Sequence, residues 1–201
     1  MPLIETAPAL LILWSVIGYL LGSIPFGMVL TRVMGLGNLR EIGSGNIGAT
    51  NVLRTGNRTA AALTLVLDGA KGAVAVLLAR AMAAEDAAQL AALAAMLGHC
   101  YPVWLRFQGG KGVATFIGVI LALAWPVGLA VCASWLIAAA SSRLSSLAAL
   151  VAAAVSTVWI VLLGAGQALA LGIVLTLLVF WRHRSNIRRL RAGTEPKIGQ
   201  K

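Results

Sequence analysis

Acidic residues are scarce: six Asp and Glu stand against 16 Lys and Arg in 201 residues, and the charged fraction is only 11%. An ordinary soluble domain carries roughly 25% charged residues, so that class is excluded. The 60% hydrophobic content and mean hydropathy of +0.91 mark an integral membrane protein instead. Cysteine is nearly absent. Cys100 and Cys132 lie on separate segments and suit neither a disulfide framework nor a thiolate metal site. Carboxylates are too few to hold a metal pair, since Glu5, Glu85 and Asp86 lie away from the polar loops. No Lys or Arg precedes Arg32, so the basic start of a cleaved signal peptide is missing and the first apolar stretch is expected to be a membrane helix.

What is there is a series of apolar segments, at about 7–30, 59–80, 87–104, 113–125, 127–140, 147–163 and 167–181. Several reach the roughly 17 to 25 residues of a bilayer span, but the fourth and fifth are short. Residues 113–140 could be one helix kinked at Pro126 or two short ones. With two, the loops at 32–58, 106–111 and Arg143 share a side with 182–201. Of the 16 basic residues, all but Lys71 and Arg80 then lie on that side. The positive-inside rule therefore favours about seven transmembrane helices, N-terminus outside and C-terminus cytoplasmic. The expected fold is all-α and polytopic, one membrane-embedded domain over 1–201 with cytoplasmic motif loops at about 38–58, 105–112 and 182–195.

Two of those loops are rich in glycine. Gly43-Ser44-Gly45-Asn46-Ile47-Gly48-Ala49-Thr50-Asn51, with Arg54 one turn on, brings backbone N–H groups and the side chains of Ser44, Asn46, Thr50, Asn51 and Arg54 towards one point. That pattern suits a phosphate. Gln108-Gly109-Gly110-Lys111-Gly112-Val113-Ala114-Thr115 places Lys111 at the start of an apolar helix, where free N–H groups favour an anion. Glycine follows Lys111 and none precedes it at the Walker spacing, so this is not a nucleotide P-loop holding magnesium. Positive charge alone would serve topology and anionic lipid, but a topology signal needs no glycines beside it. Further on, His183, Asn186 and Leu190 share one helical face. Asp68 and Lys71 share another inside a span, as a functional pair or as a structural clip supporting the Lys111 loop. Gly18 and Gly22 have GxxxG spacing, which fits close packing inside the bundle or a dimer face.

These motifs, in order, carry a resemblance. The stretch from Gly43 to Arg54, then Leu67-Asp68-Gly69-Ala70-Lys71-Gly72, then Gly98 to Thr115, then His183 to Glu195, with Gly22-Ser-Ile-Pro-Phe-Gly27 before them, resemble the bacterial acyl-phosphate:glycerol-3-phosphate acyltransferases, the PlsY family. Two positions differ: Tyr101 stands where phenylalanine is usual and Gln108 where a lysine is common. The resemblance implies transfer of a fatty acyl group from acyl phosphate in the membrane to the 1-hydroxyl of glycerol 3-phosphate from the cytoplasm, giving lysophosphatidic acid and phosphate. It implies catalytic roles for Ser44, Arg54, Lys111, His183 and Asn186. Substrate-binding roles follow for Gly43, Gly45, Asn46, Thr50, Asn51, Gly109, Gly110, Gly112 and Thr115. No cofactor, metal or nucleic acid is implied; membrane lipid is the surrounding partner, and the chain is expected to act as a monomer in a bacterial inner membrane.

Acyl phosphate is already activated, so positioning and charge stabilisation suffice without an acyl-enzyme. Neither histidine has an Asp five residues on, those positions being Trp104 and Arg188, so the His-x4-Asp pair of the common glycerolipid acyltransferases is missing. The proton of the attacking hydroxyl could go to the donor phosphate or to His183. A transporter or scramblase for a phosphate-bearing solute or lipid is the alternative. It would place its site near mid-membrane between internal repeats, and the sequence holds only a faint echo of one, Ala70-Lys71-Gly72 against Gly110-Lys111-Gly112.

Overall fold

Proline decides where the first apolar stretch bends. Pro8 stands in the first turn of α1 (Pro8–Ser23), where a missing N–H costs no helical bond. Pro25 separates α1 from α2 (Phe26–Val33). The computed structural model describes residues 1–200, with ten α-helices and no strand among them. The short α3 (Ala49–Val52) precedes α4 (Arg58–Met82), which Asn57 caps by accepting the Ala60 N–H at 2.9 Å. α5 (Glu85–Cys100), α6 (Val113–Leu123), α7 (Trp125–Ser142), α8 (Ser145–Leu162) and α9 (Leu169–Arg182) follow, and α10 (Arg184–Arg191) leaves α9 at 61°.

Each expected apolar segment is helical, but 7–30, expected as one helix, is broken at Ile24–Pro25 into α1 and α2, and 113–140 is two helices, broken at Ala124 with Pro126 in the first turn of α7. With α1 and α2 taken as one run, five helices are long and apolar enough to cross a bilayer, and the bent pair α9 and α10 makes a sixth. α6 has only 11 residues, short of the roughly 17 that a span needs.

Polar contacts define two ends of the bundle. At one, Arg80 donates to Glu85 at 2.7 Å and to the carbonyls of Ala122 and Leu123 at 2.6 and 3.3 Å. Beside it the Asp86 carboxylate accepts from Thr6 and from the N–H of Glu5. The other end gathers the motif loops. There Arg40 donates to the Gln108 carbonyl, the hydroxyls of Thr50 and Ser145 stand 3.1 Å apart, and Ile198 donates its N–H to Arg143 at 2.7 Å.

Small residues bring the helices close. A side chain on Gly18 or Gly22 would overlap the backbone of Ala91 or Ala95, so the GxxxG pair packs α1 onto α5 inside the bundle. Gly72 and Gly118 do the same between α4 and α6, against Thr115 and Gly69. Here Thr115 donates to the Asp68 carbonyl at 2.8 Å. Asp68 lies about 15 Å along α4 from Arg58 at the helical rise. The short α6 therefore begins beside the middle of α4, with the Lys111 loop running from it to the surface at Arg106–Gln108.

Candidate active site

The first glycine loop is built around one amide. Asn51, 1% exposed, donates from Nδ2 to the carbonyls of Leu39, Ile42 and Asn46 at 3.1, 3.0 and 2.8 Å. Its Oδ1 accepts the Ser44 N–H at 3.1 Å, the Ser44 hydroxyl at 3.3 Å and Arg54 Nη1 at 3.1 Å. Gly43, at φ +51°, passes so close that a Cβ there would meet Arg54 and Asn51. The loop thus carries Ser44 and Arg54 on its own internal frame.

The second loop is held from outside. Gly109 and Gly110 give their N–H groups to the carbonyls of Cys100 and His99 at the end of α5, both at 3.1 Å. Their own carbonyls accept Nη2 and Nε of Arg182, both at 3.0 Å. These two peptides therefore have no donor left for a ligand. Gly112 turns the chain at φ +81° into α6. Among the described residues, the N–H groups of Gly112, Val113 and Ala114 have no acceptor in the protein, as expected for a first helical turn. Those free donors, with Lys111, make the cradle.

A cavity of about 610 Å³ joins the two loops. Its polar head is lined by Ser44, Asn46, Arg54, Lys111, His183 and Asn186. Its apolar arm runs between α4, α6 and α7, past Leu65, Val66, Ile117, Leu121, Trp135 and Leu136. Leu65, Val66 and Leu136 are more than half exposed, so the arm opens sideways on the surface that lipid would cover. A second cavity of about 390 Å³ shares Ser44, Asn46 and Lys111 and adds Arg40, Arg182, Arg184 and Arg188, with no carboxylate in its wall.

Protonation in the head follows from burial. Desolvation pushes the Lys111 ammonium down to about 8; Glu195 pulls it up, while Arg189, Arg54 and Arg182 add to the fall. It remains mostly charged at pH 7. His183 is pushed down to about 4 by burial and then by the Lys111 charge, so its ring is neutral. With His183 Nδ1 2.8 Å from the Val179 carbonyl, the ring proton sits on Nδ1 and Nε2 offers a lone pair. Asn186 donates Nδ2 to Glu195 at 2.6 Å, and its buried Oδ1 has no partner in the protein. Burial works against the Glu195 charge, yet the bonds from Asn186 and Arg189 hold its pKa below the ordinary value. The head therefore offers cations for phosphate and two acceptors, His183 Nε2 and Asn186 Oδ1, for hydroxyl groups.

A family model described as glycerol-3-phosphate acyltransferase matches residues 12–193. The chain belongs to the glycerol-3-phosphate acyltransferase family. It is 73% identical over its whole length to a glycerol-3-phosphate acyltransferase of Ruegeria pomeroyi, covering 99% of that protein, and 67% identical over 99% of its length to one of Roseobacter denitrificans, covering 100% of it. Among solved structures it resembles the integral membrane glycerol 3-phosphate acyltransferase PlsY in its glycerol 3-phosphate form, with TM-score 0.88 and 37% identity over 94% of this chain and 96% of that one. The lysophosphatidic acid form of PlsY gives TM-score 0.85 and 35% identity over 94% and 95%.

Against this family background, the cavity walls gather most of the residues that the motifs single out. Ser44, Asn46, Thr50, Asn51, Arg54, Lys111, Gly112, His183 and Asn186 line the larger cavity, and Gly45 lines the smaller. Gly43, Gly109, Gly110 and Thr115 line neither and lie behind the walls as backbone support. Four others, His99, Arg40, Arg182 and Glu195, carry no site role in the sequence reading, and Asp68 stands there only as half of a functional pair or a clip. Asp68 and His99 line the larger cavity. Asp68 holds Lys71 at 2.8 Å, Lys71 also bonds the Ile24 carbonyl at the α1–α2 break, and His99 lies 3.8 Å from Asp68. Arg40, Arg182 and Glu195 had been read only as part of the charge balance or the terminal motif. The one signal that could have found them is the density of basic residues around glycine loops, which names no partner.

Proposed function

We propose that the protein transfers a fatty acyl group from acyl phosphate directly to the 1-hydroxyl of glycerol 3-phosphate, releasing lysophosphatidic acid and phosphate at the cytoplasmic face of a bacterial inner membrane. The observation that carries this reading is the chemical division of the larger cavity. Arg54 and Lys111 suit phosphate, His183 Nε2 and Asn186 Oδ1 suit a polyol, and the lateral apolar arm suits an acyl chain that stays partly in lipid. The smaller, all-basic cavity suits the entry of an anionic acceptor or the exit of phosphate. The solved relatives described as glycerol 3-phosphate and lysophosphatidic acid forms support the same acceptor and product. In this reading the chain works as a monomer, crosses the bilayer seven times and needs no cofactor.

The acceptor hydroxyl attacks the acyl carbon; a new ester C–O bond forms and the bond from that carbon to the phosphate oxygen breaks. His183, pushed down by burial and by the Lys111 charge, is a poor proton acceptor, although its Nε2 can still take a hydrogen bond. The hydroxyl proton therefore goes to an oxygen of the departing phosphate, and His183 with Asn186 orients the acceptor. Lys111 and Arg54 hold phosphate charge, Ser44 adds a donor by turning its hydroxyl from Asn51 Oδ1 to the phosphate, and the free N–H groups at the start of α6 steady the developing oxyanion.

The test is phosphate release by purified protein in bicelles supplied with palmitoyl phosphate, with and without glycerol 3-phosphate, and with palmitoyl-CoA as an alternative donor. Release that needs glycerol 3-phosphate and acyl phosphate is the expected result. Equal product from palmitoyl-CoA, or no acceptor-dependent release from folded protein, would overturn the reading.

A further inference from the structure

Three consecutive carbonyls before Lys111 face guanidinium groups. Arg40 takes Gln108, and Arg182 takes both Gly109 and Gly110 at 3.0 Å. Arg40 also donates to the Gly45 carbonyl at 3.1 Å, which ties the first loop to the second. Arg182 comes from the far end of α9 and lies with its guanidinium 4.8 Å from the centre of the Tyr101 ring. Tyr101 is itself anchored, since its carbonyl accepts the Tyr19 hydroxyl of α1 at 2.8 Å.

We propose that Arg182 is a positioning residue that aims the Lys111 cradle at its anion by clamping the Gly109 and Gly110 carbonyls. The reasoning is geometric. A glycine pair has no side chain to fix its peptide planes and loses much conformational freedom on ordering. Four bonds fix them here: two N–H bonds to the end of α5 and two carbonyl bonds to one planar fork. With both carbonyls drawn to Arg182, the free N–H groups of Gly112, Val113 and Ala114 and the Lys111 side chain remain for the ligand. A lysine at position 182 keeps the charge but presents a single rotatable ammonium in place of the fork, and it stacks less well on Tyr101.

The proposal rests on glycerol 3-phosphate binding in the head, so the test reads binding without any acyl donor. Detergent-solubilised protein is titrated calorimetrically with glycerol 3-phosphate and with inorganic phosphate, and the melting temperature is recorded beside it. Arg182→Lys is expected to raise the Kd for both ligands roughly tenfold, the scale on which outer supports of a binding group act, with an unchanged melting temperature. In a Lys111→Ala background the same change should add little, because its effect passes through the Lys111 loop. Tyr101→Leu should weaken binding in the same direction by a smaller factor. Folded Arg182→Lys with wild-type Kd overturns the clamp. If Arg182→Lys does not fold, Tyr101→Leu with wild-type Kd overturns it equally. Wild-type protein that binds no glycerol 3-phosphate would instead refute the functional reading on which the clamp depends.

Discussion

The two glycine loops reach the same cavity by opposite routes. The first is stapled from within, because one buried amide, Asn51, bonds three carbonyls, Ser44 and Arg54, all between Leu39 and Arg54. The second is stapled from without, by α5 behind it and by arginines roughly 70 residues away on either side. The first loop can adopt its shape when its own segment folds. The second closes on the end of α5 through its own turn, but the carbonyls before Lys111 are oriented only when Arg40 and Arg182 reach them, so its aim can be altered without unfolding the bundle. The difference shows that two anion cradles with similar sequences need not share a folding logic.

Substitutions in the two loops should separate loss of activity from loss of stability. Lys111→Ala should reduce turnover by about a hundredfold or more at unchanged melting temperature, the scale of removing one preorganised donor. Steady-state phosphate release beside a melting curve checks this, and near-normal turnover would remove Lys111 from the site. Asn51→Ala should differ by failing in both measurements. It leaves the buried carbonyl of Leu39 and the half-buried ones of Ile42 and Asn46 without their partner, a destabilisation of about 3 kcal/mol that lowers the melting temperature together with activity. A variant that melts like the parent would mean that the first loop is not held by its own amide.

Lys111 also fixes a pH limb. Its folded pKa is lowered to about 8, so the ammonium is present below that pH and lost as pH rises through it. The kcat/KM for glycerol 3-phosphate should then fall about tenfold per unit at higher pH, and Lys111→Arg should move the limb upward because guanidinium stays charged. A profile flat to pH 10 would contradict the lowered value. The smallest effect is expected at the other end of the bundle. Arg80→Gln removes the contacts to Glu85, Ala122 and Leu123 and should cost about 1 kcal/mol or less, read as a slight fall in melting temperature with activity intact.

Much of the architecture is legible in the residues because it is locally encoded. Apolar length marks the seven helical segments, Pro126 marks one break, and clustered glycine with Ser, Asn, Lys and Arg marks both loops; the break at Pro25 was not read from the sequence, where 7–30 runs as one segment. His183 and Asn186 were legible by helical spacing, and they do line the cavity together. Thr115, Gly109 and Gly110, expected to bind substrate, lie behind the cavity wall, where helix packing and the Arg182 contacts hold them.

By itself, then, the sequence determined the membrane class, the helices and the chemical identity of the two loops, since hydrophobic length, proline and glycine act over a few residues. Only the tertiary structure decided how those parts meet. α6 starts against the middle of α4, where Thr115 bonds the Asp68 carbonyl, and Lys111 just before it meets Ser44 and Arg54 in one cavity. Asp68 and His99 arrive at the cavity wall from α4 and α5, and Arg40 and Arg182 turn from charges in a list into supports of one loop. Each of these depends on groups far apart in the chain, whose pairing is set by which helices can pack closely enough on glycine and alanine to bring them together.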